Sequence, residues 1–193
     1  GQKGSPDTPF YHIDCLSLDS DGRLFVISRS IESWNVFRFK GKERQVMLNL
    51  GTLEFRDRQE GDIFNGRIDS IRVFSSGERL LVSVSYYHGL RLKYIKIFEY
   101  SIPDRKIEKM IREIPDPRNV LFEIIDDKYL YLWNVSGDRV RFEVTNLDGS
   151  VINNVYMDVL EKRSHYARIL LDESGKIHTY HVTKDGIEIF KWE

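Results

Sequence analysis

Cysteine is almost absent. Cys15 is the only one in 193 residues, so no internal disulfide can staple the fold. With Asp14 before it, Leu16 and Leu18 after it, and no cation nearby to lower its pKa, Cys15 reads as a partly buried strand residue. Long apolar runs are missing as well; none approaches the roughly 20 residues of a membrane helix. Charge of one sign is missing too. The 29 basic and 30 acidic side chains leave a net charge of −1, which offers nucleic acid or a membrane surface no electrostatic attraction. Catalytic signatures are equally scarce: there is no G-x-S-x-G elbow, no Gly-rich phosphate loop and no H-E-x-x-H.

The remaining composition is that of a globular domain, 41 % hydrophobic with 13 glycines. A chain of this length buries roughly 70 % of its unfolded surface. Residues 1–11, within "GQKGSPDTPFYH", form a polar tether with Pro6 and Pro9 and without the charged-then-apolar layout of a secretion signal. A processed exported, periplasmic or lipid-anchored protein begins this way, while the single cysteine suits a cytoplasmic one equally.

One pattern is abundant. "LSLDSDGRLFVISRS" at 16–30 is an apolar-alternating run, a tight polar turn and a second such run. It returns as "IRVFSSGERLLVSV" at 71–84, "LFEIIDDKYLYLWNV" at 121–135 and "RILLDESGKIHTYHV" at 168–182. The turns centre on Asp21-Gly22, Ser76-Gly77, Asp126-Asp127 and Ser174-Gly175, spaced 55, 50 and 48 residues apart. Such turns favour Gly, Asp or Asn because a central residue needs positive φ, and the alternation predicts strands on both sides.

A second hairpin follows in three of the four units, turning at Gly41, Pro103-Asp104 and Asp148-Gly149. The fourth unit ends after one further strand, "GIEIFKWE". In "DRKIEKMIREI", Ile107, Met110, Ile111 and Ile114 fit a helical period. Its place in the unit matches the fourth strands elsewhere, so it is read as strand.

Four-stranded units at this spacing, opened by a "DSDGRLFV"-like hairpin, resemble the blades of β-propellers. The likeness is to the loose group of bacterial propellers with a DG(K/R)-type turn, and it spans residues 12–193. It implies an all-β, β-propeller-like array of about four four-stranded antiparallel blades, the last incomplete, forming a single domain. The alternative all-β reading is a β-sandwich. Blades stack because no single sheet hides both of its faces. An uncovered sheet edge would also invite a homodimer.

The resemblance implies that the loops between second and third strands, with the blade connections, share one face. That face would carry Arg29 and Trp34 from 28–35, and Tyr86, Tyr87, His88 and Arg91 from 85–94. Arg118 and His165 would join them from the connections. Aromatic rings and arginines offer large contact area at low entropy cost, which makes these eight the candidate binding residues. The charged connection at 56–62 reads as a solvated face.

No metal site is expected. His178 and His181 alternate faces on a strand, and "DSDG" lacks the later oxygen ligands of a calcium loop. No cofactor is expected either. "NVS" at 134–136 matches a glycosylation acceptor at a hairpin. The function expected is a non-catalytic binding or assembly module engaging a protein or a saccharide through its loop-rich face. The alternative is a propeller hydrolase or lyase with a carboxylate acid/base pair in the channel mouth.

Overall fold

The computed structural model describes residues 10–30, 33–51, 55–59, 61–115, 121–125, 127–136, 139–158, 169–172, 174, 176–182, 184 and 186–191. The described secondary structure is all strand, in four antiparallel sheets. No helix among those residues is long and apolar enough to cross a membrane.

Sheet 1 is a meander of β1 (His12–Leu18), β2 (Leu24–Arg29), β3 (Ser33–Lys40) and β4 (Glu43–Gly51). Sheet 2 runs β5 (Arg56–Gln59), β6 (Asp62–Val73), β7 (Arg79–His88), β8 (Arg91–Ser101) and β9 (Lys106–Ile114). Sheet 3 is β10 (Leu121–Ile125), β11 (Tyr129–Ser136), β12 (Arg139–Asn146) and β13 (Val151–Asp158). Sheet 4 has three strands, β14 (Ile169–Leu171), β15 (Ile177–Val182) and β16 (Ile187–Lys191). Strand order follows chain order in every sheet, with no crossover, which is the organisation of propeller blades.

The fold class is therefore the one the repeat implies, with one addition. Sheet 2 has five strands, because residues 56–59 pair with β6 instead of running as a connection. Gly61, at φ +91°, closes that extra hairpin in a conformation that a side chain rarely adopts. The helical period of 104–114 is overridden. β9 pairs with β8 throughout, and register shifts at Ile97/Phe98 and Glu99/Tyr100 absorb the misfit of its apolar spacing.

Two hairpin turns share a side-chain lock. Asp19 Oδ1 accepts the amides of Asp21 (3.0 Å) and Arg23 (2.8 Å), and Oδ2 accepts Arg23 Nε at 2.6 Å. Asp172 Oδ1 accepts the amides of Ser174 and Lys176, each at 2.9 Å, while Oδ2 meets His178 Nε2 at 3.0 Å. Each is an Asx-type turn that satisfies backbone donors the hairpin leaves open.

The chain divides into two compact units, Gly1–Pro117 and Arg118–Glu193. In the first, sheets 1 and 2 bury a common core that includes Phe25, Ile27, Trp34, Val36, Leu48 and Leu50 from one and Ile68, Ile71, Leu80, Val82 and Val84 from the other. Two sheets face to face also begin a sandwich; the consecutive meander within each is the propeller-like feature. Cys15 is half-buried and packed against this core, as its strand position predicts. The turn ends are tied where the Ser20 amide donates to the Ser75 carbonyl at 2.7 Å. In the second unit, Leu130, Leu132 and Phe142 are buried, and Gly149 (φ +91°) turns the β12–β13 hairpin.

Candidate functional site

The densest chemistry among the described residues lies where sheet 2 departs from the repeat. Just before β5, the chain at residue 55 crosses the face of β6 directly over Gly66. A Cβ there would collide with the Phe55 carbonyl oxygen and stand 2.7 Å from Phe55 Cβ, so only glycine fits. The crossing seats the Phe55 ring 6.2 Å from Phe98 and carries Asp57 across to β8.

Asp57 Oδ2 accepts Lys96 Nζ at 2.5 Å, the Tyr94 hydroxyl at 2.8 Å and Gln59 Nε2 at 3.2 Å. Its other oxygen accepts the Arg58 amide at 2.9 Å. Lys96 also reaches Glu113 Oε2 at 3.5 Å and lies 5.2 and 5.6 Å from the ring centroids of Tyr94 and Tyr86. Those two rings stack at 5.0 Å, and Phe64 bridges from Tyr94 (5.4 Å) to His88 (5.7 Å).

Burial works to raise the Asp57 carboxyl, but the Lys96 and Tyr94 hydrogen bonds outweigh it and hold it below the usual carboxylate range. Burial pushes the Tyr86 phenol well up, with the Asp57 charge adding to it. Burial raises Tyr94 too, reinforced by the bond it donates to Asp57. Both phenols therefore stay protonated at neutral pH, and Tyr94 is a donor. With Asp57 ionised and both oxygens engaged, the cluster is a clamp, not an acid/base pair.

Above the clamp projects the tip of the β7–β8 hairpin. Gly89 (φ +61°) begins its two-residue turn between paired His88 and Arg91, the position where a type II′ turn wants glycine. Tyr87 is half-buried, while His88 and Arg91 are exposed. Leu90 is 102 % exposed. A register shift at Tyr86/Tyr87 turns these side chains relative to the strand below.

Of the eight residues singled out in the sequence, Tyr87, His88 and Arg91 come together at this tip. Tyr86 and Trp34 do not belong to a surface. They are 3 % and 2 % exposed and sit in the core between sheets 1 and 2, because each strand runs on where a loop was expected. Arg29 is half-buried with its guanidinium 5.5 Å from the Trp34 ring. Arg118 and His165 lie outside the described residues, as does the expected tether up to Pro9.

The connection at 56–62, read as a solvated face, keeps Arg56, Arg58 and Asp62 exposed, while its strand pairing with β6 leaves Asp57 mostly covered. Sequence reasoning missed Asp57, Phe64, Lys96 and Glu113 as a group. The pair Gly61 and Gly66, bracketing an alternating strand, was the one available signal.

Two further covered carboxylates of sheet 2 are paired. The Ser85 hydroxyl donates to Asp69, whose carboxyl is raised by burial against the opposing pull of that bond and of Arg67 and Arg29. Buried Glu99 is held by Arg79 at 2.5 Å and Lys109 at 3.3 Å. Among the described residues, no three His, Cys, Asp or Glu side chains are grouped to hold a metal ion.

No family model and no curated protein matches the chain. Similar solved structures include an uncharacterised protein of Listeria monocytogenes, 9 % identical over 94 % of this chain and 50 % of that one, TM-score 0.48. Another is a functionally unknown protein of Desulfotomaculum acetoxidans, 14 % identical over 94 % and 52 %, TM-score 0.48. A Bacteroides fragilis protein named provisionally as a 6-phosphogluconolactonase is 10 % identical over 91 % and 67 %, TM-score 0.40. The chain spans about half the length of the first two. Likeness this distant carries no functional argument; the propeller-like fold rests on the chain's own strand order.

Proposed function

We propose that the chain is a non-catalytic recognition module that engages a protein partner through the tip of the β7–β8 hairpin. The observation that carries this reading is the exposure of Leu90 between His88 and Arg91 on a base that the Asp57–Lys96 clamp stiffens. An apolar side chain held in water between a cation and an imidazole, on a pre-organised hairpin, spends little entropy when a partner covers it. The hydrolase reading needs a free carboxylate. In the carboxylate–histidine pair Asp172–His178, one aspartate oxygen is committed to the turn and the other to the imidazole, and Asp57 is committed to the clamp.

The test is selection of a displayed peptide library on the immobilised chain, with the Leu90→Ser/Arg91→Glu double variant as counter-target. Both side chains are exposed, so the variant keeps its fold. The reading expects peptides that bind the natural chain at least tenfold more tightly than the variant. Selected peptides that hold both equally overturn it.

A further inference from the structure

Two apolar faces of the chain stand in water, and the repeat makes one the counterpart of the other. On sheet 1, β1 lays Ile13, Leu16 and Leu18 along one face, and Leu24 joins them as the cross-strand partner of Leu18. A bulge at Asp14 keeps Ile13 on that face despite its odd spacing from Leu16. All four are exposed. The neighbouring part of the face is closed by Phe10, whose ring meets Phe37 at 5.3 Å and Phe39 at 6.1 Å.

Sheet 2 shows what such a stripe takes. Its β6 repeats it position for position: Ile68, a bulge at Asp69, Ile71, Val73 and the cross-strand Leu80. There all four apolar side chains are buried. They share a core with Phe25, Ile27, Trp34 and Val36, which β2 and β3 present from the opposite face of sheet 1. In this repeat the stripe of one sheet is filled by the β2–β3 ridge of another.

A ridge of that kind lies uncovered on sheet 4. Its first turn is closed like that of sheet 1: the Asp19 amide donates to the Arg23 carbonyl, and the Asp172 amide to the Lys176 carbonyl. Counted from these aspartates, Tyr180 stands where Ile27 does, and their partners across the next strand are Ile189 and Val36. By the same count Ile187 takes the place of Trp34. Val36 and Trp34 are buried, whereas Ile189 is 69 % and Ile187 65 % exposed.

We propose that the chain self-associates head to tail, the Ile187–Ile189 ridge of one copy seated on the Ile13–Leu18 stripe of another. The occupant is a second copy because this sequence itself supplies both halves of the contact, in the positions that mate within unit 1. The mating surfaces differ, so the interface is heterologous and its two halves can be spoiled separately. Six apolar side chains make less than a standard interface, which sets the dissociation constant at about 10⁻⁴ M and leaves the stripe in water at micromolar chain. Leu90 belongs to neither surface, so the contact is separate from the hairpin tip.

The experiment is sedimentation equilibrium from about 5 µM to about 1 mM chain. The natural chain is expected to pass from monomer to at least a dimer's mass across that series, and Leu90→Ser should do the same. Leu16→Lys/Leu18→Lys spoils only the stripe, and Ile187→Lys/Ile189→Lys spoils only the ridge. Each should stay monomeric at the highest concentration, while an equimolar mixture, holding one intact surface of each kind, should form a one-to-one dimer. Circular dichroism checks each fold, and threonine at the same positions, which suits a strand, replaces any lysine variant that misfolds. A natural chain that stays monomeric throughout overturns the proposal. So does a ridge variant that associates alone, since stripe would then meet stripe, or a mixture that fails to pair.

Discussion

Sheets 1 and 2 present the same face to different surroundings. After their first turns, both read Arg-Leu-x-Val, so that Leu24 and Val26 in one correspond to Leu80 and Val82 in the other. The cross-strand partners correspond too: Leu18 and Leu16 in sheet 1, Val73 and Ile71 in sheet 2. In sheet 2 this face packs into the shared core, and Ile71, Leu80 and Val82 are all at 0 % exposure. In sheet 1, Val26 is buried but Leu24 is 37 %, Leu16 61 % and Leu18 64 % exposed, although the face is as apolar as its counterpart. The pattern is a property of the repeat, whereas burial is a property of having a neighbouring sheet. That is the physical reason blades need one another.

The largest effect that can break the comparison comes from truncating equivalent leucines. Leu80→Ala should cost about 2–5 kcal/mol of unfolding free energy in urea, because it leaves a cavity in a closed interior. Leu24→Ala should cost under about 1 kcal/mol, since water already reaches that position.

Next in size is the clamp that sheet 2 has and sheet 1 lacks. Lys96→Met leaves the largely covered Asp57 without its cation. Partial exposure reduces the ~3–5 kcal/mol typical of a broken buried pair to about 2 kcal/mol, read from the same urea transition. Gly66→Ala should cost about 1–3 kcal/mol by pushing residue 55 off the sheet, and faster amide exchange confined to β5 and β6 would distinguish this from general loosening.

The two aspartate-locked turns sharpen the comparison further. Asp19→Ala, at a carboxylate with 0 % side-chain exposure, should cost about 1–2 kcal/mol. Asp172→Ala, at 38 %, should cost less than half of that in thermal or urea unfolding.

The smallest effect is in pH dependence. The folded Asp57 value lies below the ordinary one, so the unfolded chain binds more protons in that interval. Its stabilisation is complete above the usual carboxylate value of about 3.9 and is lost as pH falls through the folded value. Asp69 is raised, so its contribution has the opposite sign: it is present at low pH and lost as pH rises through the folded value. Urea midpoints followed from pH 3 to 7 should therefore rise less steeply in Asp57→Asn and more steeply in Asp69→Asn than in the natural chain.

Much of the architecture was legible because its signals are local. Gly22, Gly41, Gly77 and Gly149 all take the positive φ that their turns require, and the alternating runs beside them are strands. The candidate site was much less legible. Trp34 and Tyr86 look like loop aromatics because their neighbours Glu32 and His88 are polar, yet each strand carries its ring inward before it ends. Asp57 and Lys96 lie 39 residues apart, and only the crossing over Gly66 unites them. Tertiary closure of that kind leaves a glycine in the sequence, but not the name of the partner it admits.

The most direct measurement places a thiol at matched positions of the two sheets. In a Cys15→Ser background, Leu16→Cys and Ile71→Cys are exposed to a maleimide under native conditions. The repeat account predicts modification of the Leu16 variant at close to the rate of a free thiol, and protection of the Ile71 variant by at least a hundredfold until the chain is unfolded. Equal rates at the two positions, fast or slow, would contradict it.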